Sequence, residues 1–152
     1  MHVELKGRLA ERGQTPLGDY CPIDLALQAV GQRSAILLLR EAYYGVTRFD
    51  DFAARTGLTE ATTAGRLKTL VDIGVLAKTE YQEPGKRRRY EYQLTESGKD
   101  LMPVVFGLAQ WSNRHHAPLE PLELTHDGHP VEIVARCTKG HLPELDQLTV
   151  SV

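Results

Sequence analysis

The chain has 152 residues, of which 41% are apolar, and it carries a formal net charge of −2. This length suits one compact domain with an appendage, and the small negative charge argues against a protein that coats nucleic acid along its whole surface. Because the longest apolar run, residues 35–39, cannot span a bilayer and the two cysteines form no disulfide framework, we expect a cytoplasmic protein with no membrane partner.

Residues 1–20 are polar and rich in turn-forming residues, which predicts a loose leader with one frayed helical turn. A helix is predicted to begin at Pro22, because proline suits the first helical position, and Gly31 should end it. The next helix is predicted to start at Ser34 as its N-cap and to stop at Gly45. Its residues are apolar nearly all round, so we expect it to lie at the centre of the core.

Two short helical patterns follow, with the spacing of a helix-turn-helix. The first covers residues 48–56 and ends at Gly57, which suits the left-handed conformation of a helix C-terminus. The second covers residues 59–73, with Thr59 as its N-cap. Its leucines fall on one face and its polar residues on the other, as expected of a helix that packs on a core and presents a partly basic surface.

A β-hairpin is predicted after the second of these helices. Residues 75–81 and 89–94 are two extended segments, the second strictly alternating, and a Pro-Gly dipeptide supplies a tight turn between them. Four consecutive basic residues, 86–89, follow that turn. Alone, such a run is usually a solvated loop; after a helix-turn-helix, it indicates contact with DNA.

Two helices followed by a basic hairpin are typical of a winged helix-turn-helix, and we call the hairpin at residues 75–94 the wing. The second helix would enter the major groove and contact base edges, while the wing would hold phosphates. Thr63 has a competing role in core packing, because it shares the face of the leucines. The predicted DNA contacts are Arg48, Thr59, Thr62, Thr63, Arg66, Lys68, Lys86, Arg87, Arg88 and Arg89.

A long final helix is predicted to begin after Thr95, its N-cap, and to end near residue 114. Its apolar surface is broader than one side of a small domain needs. We therefore expect this helix to be shared with a second subunit, and to be kinked near Pro103, which lacks a backbone N–H.

Residues 21–111 resemble the HxlR family of bacterial winged-helix transcriptional regulators. The markers are a Cys-Pro helix start, the LLLRE segment, Arg-Phe-x-x-Phe, Arg-Leu-x-x-Leu-x-x-x-Gly and Tyr-x-Leu-Thr-x-x-Gly-x-x-Leu-x-Pro, all in register. The resemblance implies a homodimer, built from the first and last helices, that binds an inverted or imperfect repeat as a repressor or an activator. The expected dimer contacts are Ile23, Leu27, Leu101, Val105, Leu108 and Trp111.

Cys21 directly precedes a predicted helix, where unpaired N–H groups and the positive helix end favour the thiolate. Asp24, one turn into the helix, opposes this effect. In some members of the family that the chain resembles, a cysteine at this position senses electrophiles or oxidants, whereas many members keep it without that role. Two alternatives stay open, namely an inert packing cysteine and a small-molecule effector bound between the helix dimer and the tail.

The tail, from about residue 115, is predicted to contain strands at residues 131–136 and 148–152. Sets of His and Cys can bind zinc, and some family relatives carry paired Cys-x-x-Cys knuckles. Asp127 stands where an earlier cysteine would lie, so we expect a degraded or lost zinc ribbon and no cofactor. The weak zinc candidates are His126, His129, Cys137 and His141.

The expected organisation is a flexible leader at residues 1–20, a winged helix-turn-helix domain at 21–114 and a tail at 115–152, in a mainly α fold with a small β-hairpin. No phosphate-binding loop or nucleophile motif is present, which argues against an enzyme. We expect a homodimeric, DNA-binding transcriptional regulator that responds to an electrophile, an oxidant or a small molecule. The rival hypothesis is a winged helix that binds an acidic protein and has no operator.

Overall fold

The computed structural model describes residues 1–151, apart from the side chain of Asp19. Its helices and strands are β1 (Glu4–Lys6), α1 (Arg8–Glu11), α2 (Pro22–Val30), α3 (Arg33–Tyr43), α4 (Phe49–Thr56), α5 (Glu60–Asp72), β2 (Leu76–Tyr81), β3 (Arg89–Leu94), α6 (Glu96–Asp100), α7 (Met102–His115), β4 (Thr125–His126), β5 (His129–Pro130) and β6 (Thr149–Ser151). None of the helices within residues 1–151 has the length and apolar character that a bilayer span requires.

The chain divides into two units. The larger is Pro22–Leu122, and the smaller combines Met1–Cys21 with the segment that begins at Glu123. The larger unit extends past the predicted domain end at residue 114, because the side-chain amide of Asn113 bonds both the N–H (3.2 Å) and the carbonyl (2.7 Å) of Leu122.

Helix α3 lies in the core of the larger unit, as predicted. Leu38 and Leu39 are fully buried, and they belong to the same cluster as Phe52 of α4 and Leu67 of α5. Each such side chain stabilises the fold by roughly 1.5–3 kcal/mol when it leaves water. The prediction of Ser34 as the N-cap is wrong, because the extended residue before α3 is Gln32, which makes no side-chain capping bond.

Helices α4 and α5 form the predicted helix-turn-helix. Gly57 ends α4 with φ 67°, and its N–H donates to the carbonyl of Ala53 at 3.0 Å. A residue with a Cβ would be strained there, so the glycine is explained by backbone conformation. Thr59 then caps α5, accepting a hydrogen bond from the N–H of Thr62 at 3.2 Å, which confirms both predicted caps.

The wing is an antiparallel pair of β2 and β3, in register from Leu76 opposite Leu94 to Tyr81 opposite Arg89. Its inner end is anchored in the core, where the ring of Tyr92 meets Phe52 edge to face at 6.2 Å. The N–H of Tyr92 also donates to the carbonyl of Thr47 at 2.8 Å, just before α4. The hairpin is therefore attached to the first helix of the pair as well as to the end of the second.

A tight contact joins the start of α6 to the end of the helix-turn-helix. The hydroxyl of Thr95 accepts from the N–H of Gly98 at 3.1 Å and donates to the carbonyl of Gly74 at 2.5 Å, next to the carbonyl of Val75 at 3.1 Å. A Cβ on Gly98 would collide with that same carbonyl oxygen, so only glycine fits. From the other side, the hydroxyl of Tyr43 donates to the carbonyl of Gly98 at 2.6 Å.

The predicted final helix is interrupted rather than continuous. Helix α6 stops at Asp100, and α7 begins at Met102 with Pro103 in its first turn. Proline has no N–H to donate to the preceding turn and is well placed at a helix start, so the predicted kink takes the form of a break. Thr95 caps α6, as predicted.

The smaller unit pairs β1 with β6 in parallel, Glu4 opposite Thr149. The leader thus contains the predicted helical turn as α1, of which Leu9 is buried, and also a strand that the sequence does not predict. The strand predicted at residues 148–152 is present as β6, and Val152 lies outside the described residues. The prediction of a strand at residues 131–136 is wrong, because that segment is irregular. Its valines are exposed, so it has no buried face that would fix the register of a strand.

Candidate nucleic-acid interface

Helix α5 presents a face of small and polar residues opposite its buried stripe. A Cβ added to Gly65, in the middle of this face, would meet nothing within 4 Å. The backbone of α5 is therefore open to close approach there, as a helix lying in a DNA groove requires. The exposed residues of α5 are Glu60, Ala61, Thr62, Ala64, Gly65, Lys68 and Asp72.

Two predicted contacts, Thr59 and Thr62, are exposed at the N-terminal end of α5. The hydroxyl of Thr59 is engaged by the cap and also donates to the hydroxyl of Thr62 at 2.9 Å. The cap therefore occupies much of the hydrogen-bonding capacity of Thr59. Thr62 keeps an exposed hydroxyl and methyl group, which suit a base edge or a thymine methyl.

Thr63 is inaccessible to DNA, so its inclusion among the predicted contacts is corrected in favour of its competing role in core packing. The residue is fully buried, and its hydroxyl donates to the carbonyl of Thr59 at 2.9 Å. Because Thr63 lies one turn before Leu67 on the buried stripe, it fills the core and satisfies its own hydroxyl locally.

The two basic residues of α5 lie in different environments. Arg66 is half-buried at the edge of the outward face, and its Nε is buried without a hydrogen-bond partner among the described residues. Lys68 is exposed and pairs with Asp72 across one helical turn, with Nζ and Oδ2 2.5 Å apart. Contact of Arg66 with guanine or phosphate stays a prediction, with only part of the guanidinium accessible.

A tight turn positions the basic run of the wing. The N–H of Lys86 donates to the carbonyl of Glu83 at 3.0 Å, and Gly85 has φ 75° after Pro84. This is the pattern of a turn in which proline is common at the second position and the positive φ of the third position favours glycine. Gln82 adds a bond from its side-chain amide to the carbonyl of Lys86 at 3.0 Å. The side chains of residues 86–89 therefore leave an ordered backbone.

Carboxylates of the wing pair with its basic side chains. Arg88 Nε lies 2.9 Å from Glu80 Oε1, and Lys86 Nζ lies 2.6 Å from Glu83 Oε2. Arg87 is exposed and makes no ion pair within residues 1–151. These two glutamates are not among the residues predicted from the sequence; their positions before the turn, opposite a basic run, are the signal that could have revealed them.

Arg48, directly before α4, belongs to the same charged cluster. Its guanidinium lies over the ring of Tyr81 at 5.2 Å and reaches Glu83 at 3.5 Å and Glu91 at 3.9 Å. A backbone bridge between Arg48 and Glu91 holds the two segments together. Arg48 is thus positioned beside the middle and outer part of the wing, half-exposed and already engaged with two carboxylates.

The lysine bonded to Glu83 affects its ionisation. The hydrogen bond from Lys86, and then the charge of that lysine, hold the pKa of Glu83 below its usual range. The wing therefore keeps this negative charge at neutral pH. Burial is the main cause that raises the pKa of Tyr92.

An open cleft of about 520 Å³ lies between the start of α4 and the wing. Arg48 and Arg89 line it together with the carboxylates of Asp50 and Asp51, and aromatic rings complete its wall. This mixture of charges makes the cleft a poor phosphate site, since the acidic side chains repel an anion.

The predicted dimer contacts divide into an exposed group and a core group. Ile23 and Leu27 of α2 are 72% and 57% exposed, and Leu108 and Trp111 of α7 are 52% and 56% exposed. Val105 is buried in the core of its own chain, and the half-buried Leu101 packs against that core. The exposed side chains are available to a partner subunit, whereas Val105 is not, so its prediction as a dimer contact is corrected.

Cys21 is a free, half-buried thiol, and Cys137 is free and exposed. The weak zinc candidates are not gathered: His126 and His129 face each other in the β4–β5 hairpin, while the N–H of Cys137 donates to the carbonyl of His141. Among residues 1–151, no three His, Cys, Asp or Glu side chains form a group suited to a metal ion. The candidate zinc set is therefore not supported.

The chain is similar to known regulators in both sequence and structure. A family model described as HxlR-like helix-turn-helix matches residues 29–120. Rv3095 of Mycobacterium tuberculosis, named as an HTH-type transcriptional regulator, is 38% identical over 103 residues, which are 66% of this chain and 64% of that protein. The chain thus spans less than two thirds of the length of this relative.

Solved structures share the fold. The crystal structure of PA1607, a candidate transcription factor, superposes with a TM-score of 0.71 at 30% identity, covering 83% of this chain and 90% of that one. The oxidised form of the redox regulator HypR matches with a TM-score of 0.56 at 25% identity, over 62% of this chain and 97% of that chain.

Proposed function

Because this chain belongs to the HxlR-like helix-turn-helix family and is a transcriptional regulator of that type, we propose that it binds a two-fold symmetric operator as a homodimer. The observation that supports this most directly is the exposed, small and polar face of α5 beside a basic wing. A helix that had only a structural role would need no such combination of surfaces.

In the proposed complex, α5 lies in the major groove and the wing follows the phosphate backbone. Thr62 and the exposed edge of Arg66 supply contacts to bases, because they lie on or beside the outward face. Lys68, Arg87 and Arg89 supply contacts to phosphates, which carry affinity without sequence information. Contacts of the second kind depend steeply on salt.

The dimer is supported by the exposed apolar side chains of α2 and α7. Leucine and tryptophan side chains that are more than half exposed are unfavourable in water and mark an interaction surface. A second copy of the same chain is the partner that fits, since the same apolar face is then present on both sides of a two-fold axis. Two α5 helices would thereby face successive major grooves.

Selection of bound fragments from random DNA tests this function. Enrichment of a two-fold symmetric site is the expected result, with half-sites about one helical turn apart. Recovery of no enriched sequence, with a folded protein, would favour the rival hypothesis of a protein-interaction module.

Replacement of Arg87 and Arg88 by alanine tests the wing. The double variant should bind every DNA sequence more weakly, and its affinity should depend less on salt, by about 0.9 in log–log slope for each phosphate that is no longer neutralised. Gel-shift titrations over a range of salt concentrations measure both. Unchanged affinity and slope would remove the wing from the interface.

The effector proposal concerns Cys21. HypR is named as a redox regulator, and Cys21 is a free thiol just before α2. We infer that oxidants or electrophiles modify this thiol and change DNA affinity. Measuring the DNA affinity of the parent and of Cys21→Ser with and without diamide decides between this and the two alternatives. If diamide changes the affinity of the variant as it does that of the parent, Cys21 is not the sensor. If diamide does not change the affinity of the parent, an inert cysteine or a small-molecule effector is favoured.

A further inference from the structure

Two of the four consecutive basic side chains of the wing already have an anionic partner in the free protein. Arg88 pairs with Glu80 at 2.9 Å, and Lys86 pairs with Glu83 at 2.6 Å. All four side chains are between 39% and 70% exposed. The charge that the wing offers to DNA is therefore smaller than its run of four basic residues indicates.

Glu83 has a second cationic neighbour. Arg48 Nη2 lies 3.5 Å from Glu83 Oε1, and the same guanidinium reaches Glu91 at 3.9 Å. The carboxylates thus engage cations both beyond the turn and on the residue that precedes α4. Arg87 and Arg89, by contrast, are exposed and make no ion pair with any residue that the structure describes.

Folding stability does not explain these pairs. Ion pairs at the protein surface stabilise a fold by about 0–1 kcal/mol, because water solvates the separated charges nearly as well. These pairs affect the binding of phosphate more than they affect stability. A guanidinium that donates its Nε–H to a carboxylate cannot donate the same hydrogen to a phosphate oxygen. A carboxylate beside the basic side chain also repels the phosphate directly.

We propose that Glu80 and Glu83 compete with DNA phosphates for Arg88 and Lys86, so that Arg87 and Arg89 are the cations of the basic run that contact the backbone without first displacing a carboxylate. This inference rests on the proposed DNA-binding function and adds a control over its affinity. DNA must displace the two carboxylates before Lys86 and Arg88 contribute. The glutamates therefore lower the affinity of the wing for any DNA sequence and weaken its dependence on salt.

Glu80→Gln and Glu83→Gln test the inference, because each substitution removes the negative charge and keeps the size of the side chain. Glu96→Gln is a matched control: Glu96 Oε1 lies 2.6 Å from Lys99 Nζ, so this variant changes the net charge equally and breaks a similar exposed pair on α6, away from the wing. Affinity for a random-sequence duplex is measured by fluorescence anisotropy at several salt concentrations, and thermal unfolding checks that all variants are folded.

Each wing variant should bind the duplex several-fold more tightly than the parent at about 50 mM salt, with a log–log slope steeper by up to about 0.9 for each side chain released. Glu96→Gln should change affinity much less. Equal gains in all three variants would mean that only net charge matters, and no gain in the wing variants would mean that no competition exists. Either result overturns the inference.

A double-mutant cycle on Glu80 and Arg88 gives the second test. If Glu80 acts by holding Arg88, then Glu80→Gln should lose most of its effect when Arg88 is already replaced by glutamine. An undiminished gain in the Arg88→Gln background contradicts the proposed competition. If the parent protein itself binds no DNA, the proposed function fails and this inference fails with it, whereas a parent that binds while the cycle shows no coupling overturns the inference alone.

Discussion

Two helices of the larger unit, α5 and α7, expose faces of opposite chemistry. The outward face of α5 carries small residues, threonine and charged residues of both signs, whereas that of α7 carries valine, leucine and tryptophan. Both helices bury a stripe in the same core, since Leu67 and Val105 belong to one cluster. Packing within the chain therefore does not account for the difference between the outward faces of the two helices.

The difference indicates two partners of different kind. A hydrated, highly charged surface such as DNA suits small and hydroxyl-bearing residues that allow close approach. An apolar face more than half exposed suits another protein surface, and a second copy supplies one of matching composition. Substitutions in and beneath the two faces should therefore have separable effects on dimer mass, DNA affinity and stability.

The largest effect is expected from Leu27→Glu in the apolar face. A charge at each copy of this position in a symmetric interface should separate the subunits, and loss of the linked second half-site should lower operator affinity by about 100-fold or more. Light scattering coupled to gel filtration measures the mass, and gel shifts measure the affinity. Leu25→Glu is the control, because Leu25 is similarly exposed at 51% but lies on the opposite side of α2. Dissociation by both variants would show that the face is wrongly assigned.

Thr62→Glu, on α5, should lower DNA affinity without affecting the dimer. Position 62 is the third residue of α5, where a glutamate completes a capping box with Thr59, so thermal stability should be kept or raised. Repulsion between the new carboxylate and DNA should lower affinity by roughly 10-fold or more, equivalent to at least about 1.4 kcal/mol. The dimer mass should not change. A variant with full DNA affinity would exclude this end of α5 from the groove.

Gly65→Ala should raise stability by about 1 kcal/mol, because alanine is the better helix former and its Cβ meets no neighbour. DNA affinity should not rise with stability, because the added methyl group lies on the face proposed to enter the groove. Ala64→Gly, one position earlier and also exposed, should lower stability by a similar amount. Chemical denaturation and gel shifts on the same preparations test both, and tighter DNA binding by Gly65→Ala would contradict the proposed close approach.

The smallest effect is expected from Tyr43→Phe, which removes the hydrogen bond to the carbonyl of Gly98 and should lower the free energy of unfolding by about 1 kcal/mol. Burial raises the pKa of Tyr43 to about 12, above the value of about 10 in an unfolded chain. The contribution of this tyrosine to the free energy of unfolding is therefore complete below pH 10. It falls as pH rises toward 12, because the tyrosine of the unfolded chain releases its proton first. The variant should lack that decline in unfolding experiments, and an identical alkaline profile would refute the assignment.

Much of the larger unit could be predicted because its signals are local. Thr59, Gly57 and Thr95 act on backbone groups within four residues, so capping chemistry located the helix ends. The strand bounds of the wing followed from alternation around a Pro-Gly turn. Thr63 shows the limit: its place on the leucine stripe indicates burial, yet it also counts among the predicted DNA contacts because threonine suits both environments.

What could not be predicted depends on contacts between distant residues or on side-chain conformation. The pairing of Glu4 with Thr149 joins the two ends of the sequence, and neither segment has a pattern that specifies the other. The ion pairs of Glu80 and Glu83 depend on the register of the hairpin and on rotamers.

The glycine at position 98 has a consequence for the geometry of the DNA that can be bound. Its backbone packs directly against Val75, at the end of the helix-turn-helix, and no side chain lies between them to absorb a displacement. In the proposed dimer, the angle at which α7 meets its copy would therefore be passed through this contact to α5. The half-site separation that the protein tolerates should then be narrow, and an operator lengthened by a single base pair should be rejected more strongly than one with a single altered base.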